Sequence, residues 1–127
     1  MVDEARRAEM RQYQQRRSAV RREHQLVTRT FWIWEEDSDA FRVAVTPFVD
    51  RARLIEALLG TAPLPSLELV EIVKKHGFPY DPADIVYLVD LRTLLAIKPW
   101  ESTYAMERAR AILAKYDLPI RLEDLIS

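Results

Sequence analysis

The densest chemistry in this 127-residue sequence is arginine. At about 100° per residue, Arg6, Arg7, Arg11, Arg17, Arg21 and Arg22 gather on one broad sector of a helix. Ala5, Ala8, Tyr13, Ala19, Val20, Leu26 and Val27 collect opposite, with Arg16 the one intruder. A guanidinium offers a planar fork of donors to carboxylate or phosphate, so this face fits an acidic protein surface first and a nucleic-acid backbone as the alternative. Tyr13 is the one ring interleaved with the arginines, which gives little for stacking on unpaired bases. No zinc-finger, RRM or KH signature is present. A helix-turn-helix over 66–95 is disfavoured, because its recognition helix would be apolar and carry Asp90.

Other chemistry-bearing residues are sparse. Cys is absent, which removes thiol catalysis, disulfides and thiolate-held metals. Gly60 and Gly77 are the two glycines, too few for phosphate-cradling loops or a nucleophile elbow. The histidines are His24 and His76; His76 suits a helix C-terminus, and no Ser or acid forms an obvious dyad with it. Asp84 and Asp90 stand six apart on one helix and face different directions, unlike a hydrolytic acid pair. The Glu35, Glu36, Asp37, Asp39 cluster lacks the central Gly of an EF-hand and has Phe48 where the bidentate Glu belongs, so it reads as a solvated turn. No catalytic residue, metal site or cofactor is assigned, and a non-enzymatic protein is expected.

The elements that must position these groups are well punctuated. Asp3 to about Thr28 contains no Pro or Gly and reads as one long amphipathic helix. Thr30-Phe31-Trp32-Ile33-Trp34 and the alternating Phe41, Val43, Val45 read as two strands joined by the acidic turn, a β-hairpin over about 30–46 ended by Pro47. Trp32 and Trp34 would share one hairpin face and form a second partner-binding surface. Asp50 is expected to cap a helix to Leu59 and Ser66 one to His76, with Gly77 left-handed. Asp81-Pro82 starts a central apolar helix holding Ile85, Leu88, Leu91 and Leu94. A helix from about Glu101 to Tyr116 and a short one at 122–126 complete the chain.

An echo appears at an offset of 40. Lys75-His76-Gly77-Phe78-Pro79-Tyr80 followed by Asp84 matches Lys115-Tyr116-Asp117-Leu118-Pro119-Ile120 followed by Asp124. A solenoid needs three or more repeats, so the echo reads as two copies of one turn. This ten-residue turn resembles one common in PIN-type nucleases. The chain lacks an N-terminal strand ending in a metal-binding Asp, and the resemblance assigns no site.

The expected fold is mainly α, five to six helices with one small β-hairpin and a long basic N-terminal helix. It divides into a basic arm, 1–29, and a compact helical domain, 30–127. The formal charge of -1 conceals that division: the first 30 residues carry +4 and the rest -5. No segment is apolar enough to span a membrane, and a cytoplasmic accessory module is expected. Its anticipated partners are an acidic protein surface or larger assembly, with nucleic acid as the alternative and homo-oligomerisation suggested by the aromatic strand.

Overall fold

Good helix formers free of Pro and Gly make the first element, α1 (Asp3–Glu23). A computed structural model describes residues 3–126, in which five further helices follow: α2 (Ser38–Leu58), α3 (Ser66–His76), α4 (Pro82–Ile97), α5 (Ser102–Tyr116) and α6 (Leu122–Ile126). The chain forms two compact units, the first ending at Trp32 and the second beginning at Ile33.

In the first unit, α1 closes on a left-handed Gln25 (φ 64°), and the Leu26 amide returns to the Arg21 carbonyl at 2.7 Å. No residue of α1 is buried. The better shielded row is Arg17, Val20, Arg21 and His24, at i, i+3, i+4 and i+7, whereas Ala5 and Ala19 of the expected small-residue stripe are exposed. Long side chains bury more area than alanines can, and the aliphatic stem of an arginine serves as apolar surface.

The expected β-hairpin over 30–46 is not formed, and no strand occurs among the described residues. Residues 30–34 have no regular structure, Glu35–Asp37 make one 3-10 turn, and Phe41, Val43 and Val45 lie in α2. The alternation that suggested a strand overlaps a helical series, since Phe41, Val45, Phe48, Ala52 and Ile55 recur at four and three residues. The acidic run that suggested a hairpin turn instead places carboxylates at the positive end of the α2 dipole. A lone hairpin is marginal in water, whereas the second half of α2 has a core to join. Pro47 lies within α2 rather than ending an element. It cannot donate to the Val43 carbonyl. Asp50 accordingly is interior to α2 and caps nothing.

The second unit is organised around α4, which packs against α2, α3, α5 and α6. Asp81 caps it, accepting from the Ala83 amide at 3.0 Å, and Pro82 opens the first turn. Ile85, Leu88 and Leu91 are sealed from solvent and meet Leu54 and Leu58 of α2, Leu69 of α3 and Leu125 of α6 in one core. Each such side chain contributes roughly 2 kcal/mol of transfer free energy. Arg92, half-buried on α4, donates to the Leu58 carbonyl at 3.3 Å and the Asp124 carbonyl at 2.6 Å. It thereby satisfies an orphan acceptor at the end of α2 and fastens α6. Its guanidinium lies over Gly60 (φ 73°), where a Cβ would stand 2.9 Å from Nη1.

The echo at offset 40 is structural. Residues 71–80 and 111–120 show the same succession of exposed, half-buried and buried positions. Gly77 (φ 61°) and Asp117 (φ 50°) are both left-handed, and the amides of Phe78 and Leu118 both return five residues, to Val73 and Leu113, at 3.1 Å. Tyr80 and Ile120 then pin each turn to the core. The two positions differ in the cost of that conformation. Gly77→Ala should destabilise by about 1 kcal/mol, and Asp117→Gly should stabilise by about 0.5 kcal/mol, in urea unfolding followed by circular dichroism. Equal effects of opposite expectation, or none, would show that the turns do not set their helix ends.

Candidate functional site

The arginines of α1 divide by shielding. Arg6, Arg7, Arg11, Arg16 and Arg22 are exposed, while Arg17 and Arg21 are half-buried. Arg7, Arg11 and Arg22 fall within one 60° sector of the helix, along about 22 Å of its length. Among the described residues these three have no ion-pair or hydrogen-bond partner. Arg16 faces away from that line, as its spacing predicts. The basic surface is thus narrower than the sequence suggested.

Trp32 is fully exposed and Trp34 is 70% exposed. They no longer share a strand face, since the backbone there is irregular. Immediately beyond Trp34 stand Glu35, Glu36 and Asp37, all exposed and without an ion-pair partner among the described residues. Asp39 pairs with Arg42 one turn along α2. From 38 to 49 no residue of α2 is buried, and Val43, Phe48 and Val49 are exposed. The first three turns of α2 thus present apolar side chains to solvent. Three further apolar residues, Ile97, Trp100 and Tyr104, are exposed around the corner between α4 and α5.

The fold brings together groups the sequence left apart. His76 Nε2 lies 2.7 Å from Asp50 Oδ2, and both side chains are shielded, at 7% and 11% exposure. Arg53 donates to the other Asp50 oxygen at 3.2 Å and to Glu68 Oε1 at 2.5 Å. This network fastens α2 to both ends of α3. Burial pushes the Asp50 carboxyl upward, but hydrogen bonds from His76 and Arg53 outweigh it and hold the group below the usual carboxylate range. The His76 ring lies against Phe78, with centroids 5.3 Å apart. A signal existed in the sequence: Asp50, Leu54, Ala57 and Leu58 share one apolar helical face, where a carboxylate needs a partner.

A second acid and ring meet at the other turn. Tyr116 Oη donates to Asp84 Oδ2 at 2.6 Å and accepts from the Asp81 amide at 3.0 Å. The Tyr116 hydrogen bond lowers the Asp84 carboxyl below its ordinary value against the opposing effect of burial, and Lys115 adds to the lowering. Phe78, Tyr80 and Tyr116 continue the row of rings, with Tyr80 edge-on to Tyr116 at 5.4 Å. Both pairs join helix ends to the preceding helix. Asp90 is exposed and apart from Asp84, so the two acids do not converge.

No group of three or more His, Asp or Glu that could hold a metal occurs among the described residues. No described helix is long and apolar enough to cross a membrane. Comparison with protein-family models, curated proteins and solved structures finds no match.

The Asp50 network carries a pH signature. Because the folded carboxyl is depressed, its contribution is full above about pH 4, the unfolded value, and is lost as pH falls through the lower folded value. Asp50→Asn should cost about 3 kcal/mol at neutral pH and flatten the loss of stability below about pH 4. Urea unfolding across pH tests this, with exposed Asp90→Asn expected to stay within about 0.5 kcal/mol of the parent.

Proposed function

We propose that the chain is a non-enzymatic interaction module that docks into a larger protein assembly through the exposed arginines of α1 and the indoles of Trp32 and Trp34. The observation that carries this reading is the coexistence of Arg7, Arg11 and Arg22, exposed and without ion-pair partners among the described residues, with Trp32, fully exposed. Arginine and tryptophan are the residues that most often dominate interfaces, and a folded chain ordinarily shields an indole. The second unit meanwhile spends its best-placed acids on its own helices: Asp50 on His76 and Arg53, Asp84 on Tyr116 and Lys115. These contacts serve packing and leave recognition to the groups outside it. A carboxylate-bearing protein surface is favoured over nucleic acid, because the rest of the chain carries -5 and would repel a polyphosphate. A cytoplasmic setting belongs to the same proposal and accords with the cysteine-free sequence.

Affinity capture from the native source should recover partner proteins with the full chain and lose them with a chain lacking 1–29. Replacing Arg7, Arg11 and Arg22 together by Glu should weaken capture at least tenfold. Retention of every partner by the shortened chain would overturn the proposal. Capture of nucleic acid instead, with log affinity falling linearly in log salt, would replace it by the nucleic-acid alternative.

A further inference from the structure

The exposed groups on this chain complement one another. Arg7, Arg11 and Arg22 form a cationic line on α1; Trp32, Trp34, Glu35, Glu36 and Asp37 form a short aromatic and anionic segment. We infer that the first protein docked by this surface is a second copy of the chain, the arginine line of each copy receiving the Trp32–Asp37 segment of the other. The inference rests on the docking reading above and adds the identity of the partner.

Charge complementarity selects a second copy over an unrelated protein. The N-terminal 30 residues carry +4 and the remainder -5, so head-to-body approach of two copies is attractive while head-to-head approach is not. The total of -1 leaves little net repulsion to prevent that approach. Among the described residues, Arg7, Arg11 and Arg22 on one side and Glu35, Glu36 and Asp37 on the other have no ion-pair partner.

The chemistry of contact also matches. An arginine plane lies well on an indole face, and its stem covers the ring while its fork reaches a carboxylate. Trp32 and Trp34, two residues apart on non-helical backbone, are separated by up to about 7 Å, close to the single helical turn of about 6 Å between Arg7 and Arg11. Two-fold exchange doubles the contact. Four indoles then present on the order of 800 Å², and a comparable area is removed from the arginine stems beneath them, which reaches the roughly 1,200–2,000 Å² of specific interfaces. Exposed ion pairs alone are individually weak, so the indoles carry affinity and the charges set orientation.

Sedimentation and light scattering from about 10 μM to about 1 mM test this directly. The parent should form a dimer whose dissociation constant rises at least tenfold between about 50 and about 500 mM salt. Arg7→Glu with Arg11→Glu and Arg22→Glu should be monomeric, as should Glu35→Arg with Glu36→Arg and Asp37→Arg. An equimolar mixture of those two variants should restore a one-to-one dimer, because each then offers the other the missing sign. Trp32→Ala, at a fully exposed position that leaves folding intact, should weaken the parent dimer at least tenfold. A parent that stays monomeric at about 1 mM, or variants that fail to associate when mixed while retaining parental circular dichroism, would overturn the inference. If the parent is monomeric and the arginine variant still loses its captured partners, self-association fails and the docking reading stands. If capture is also unchanged, both fail.

Discussion

The enclosure of α4 is the constraint on which the second unit depends. Ile85, Leu88 and Leu91 are removed from water completely, and no single neighbouring helix could cover them. Four helices are recruited to do so, including α6, which at five residues is too short to persist by its own hydrogen bonds. Leu125 holds α6 through burial, and Arg92 holds it through its Asp124 carbonyl bond. The same arginine satisfies the end of α2, so one half-buried cation ties α4 to both α2 and α6. Desolvation lowers its affinity for the proton, yet an arginine stays charged, and carbonyl dipoles replace lost water.

Around this core, polar pairing decides how the helices are joined. Asp50 with His76 and Asp84 with Tyr116 place a carboxylate of one helix beside a ring at the end of the next. Each turn that follows uses a left-handed residue, then an apolar residue, a proline and a second apolar residue that enters the core. The chemistry of the left-handed residue is interchangeable between Gly77 and Asp117 because the space beside Gly77 is open and only its φ is constrained. The ring is interchangeable too, provided it can donate to a carboxylate. What the two copies preserve is geometry, which explains an echo that is plain in burial and faint in residue identity.

The parts legible from sequence are those where local and global preferences agree. Asp81-Pro82 marks the start of α4, Gly77 the end of α3, and α5 and α6 run close to their expected bounds. The segment over 30–46 was not legible, because Phe41, Val43 and Val45 satisfy a period of two while Phe41, Val45, Phe48, Ala52 and Ile55 satisfy a helical one. Pro47 reads as the end of a strand, yet the helical hydrogen bond it removes is outweighed by the burial of Leu54 and Leu58 further along the same helix. The Asp50–His76 pair was hidden for the same reason: in a helix that begins at Asp50 the carboxylate is a cap, not an acid on an apolar face. For α1 the arginine row was legible from spacing. Which of its members are shielded was not, because stem burial depends on surroundings that periodicity does not contain.

Placing α2 correctly also relocates the apolar surface that suggested assembly. A hairpin would set Trp32 and Trp34 on one face and Phe31 and Ile33 on the other, with the acidic turn as a connection. In the helix, the acids become the mouth of α2, Phe41 to Val49 become its unburied first turns, and the indoles remain on irregular backbone beside those acids. An irregular segment can present ring and carboxylate together to a cationic helix, whereas alternating strand faces would direct them apart. Carboxylates at the start of a helix already gain from its dipole, so they are fixed there without a side-chain partner and retain their capacity to bind one. In the docking proposed above, the loss of the hairpin moves the contact from a sheet face to the entrance of α2.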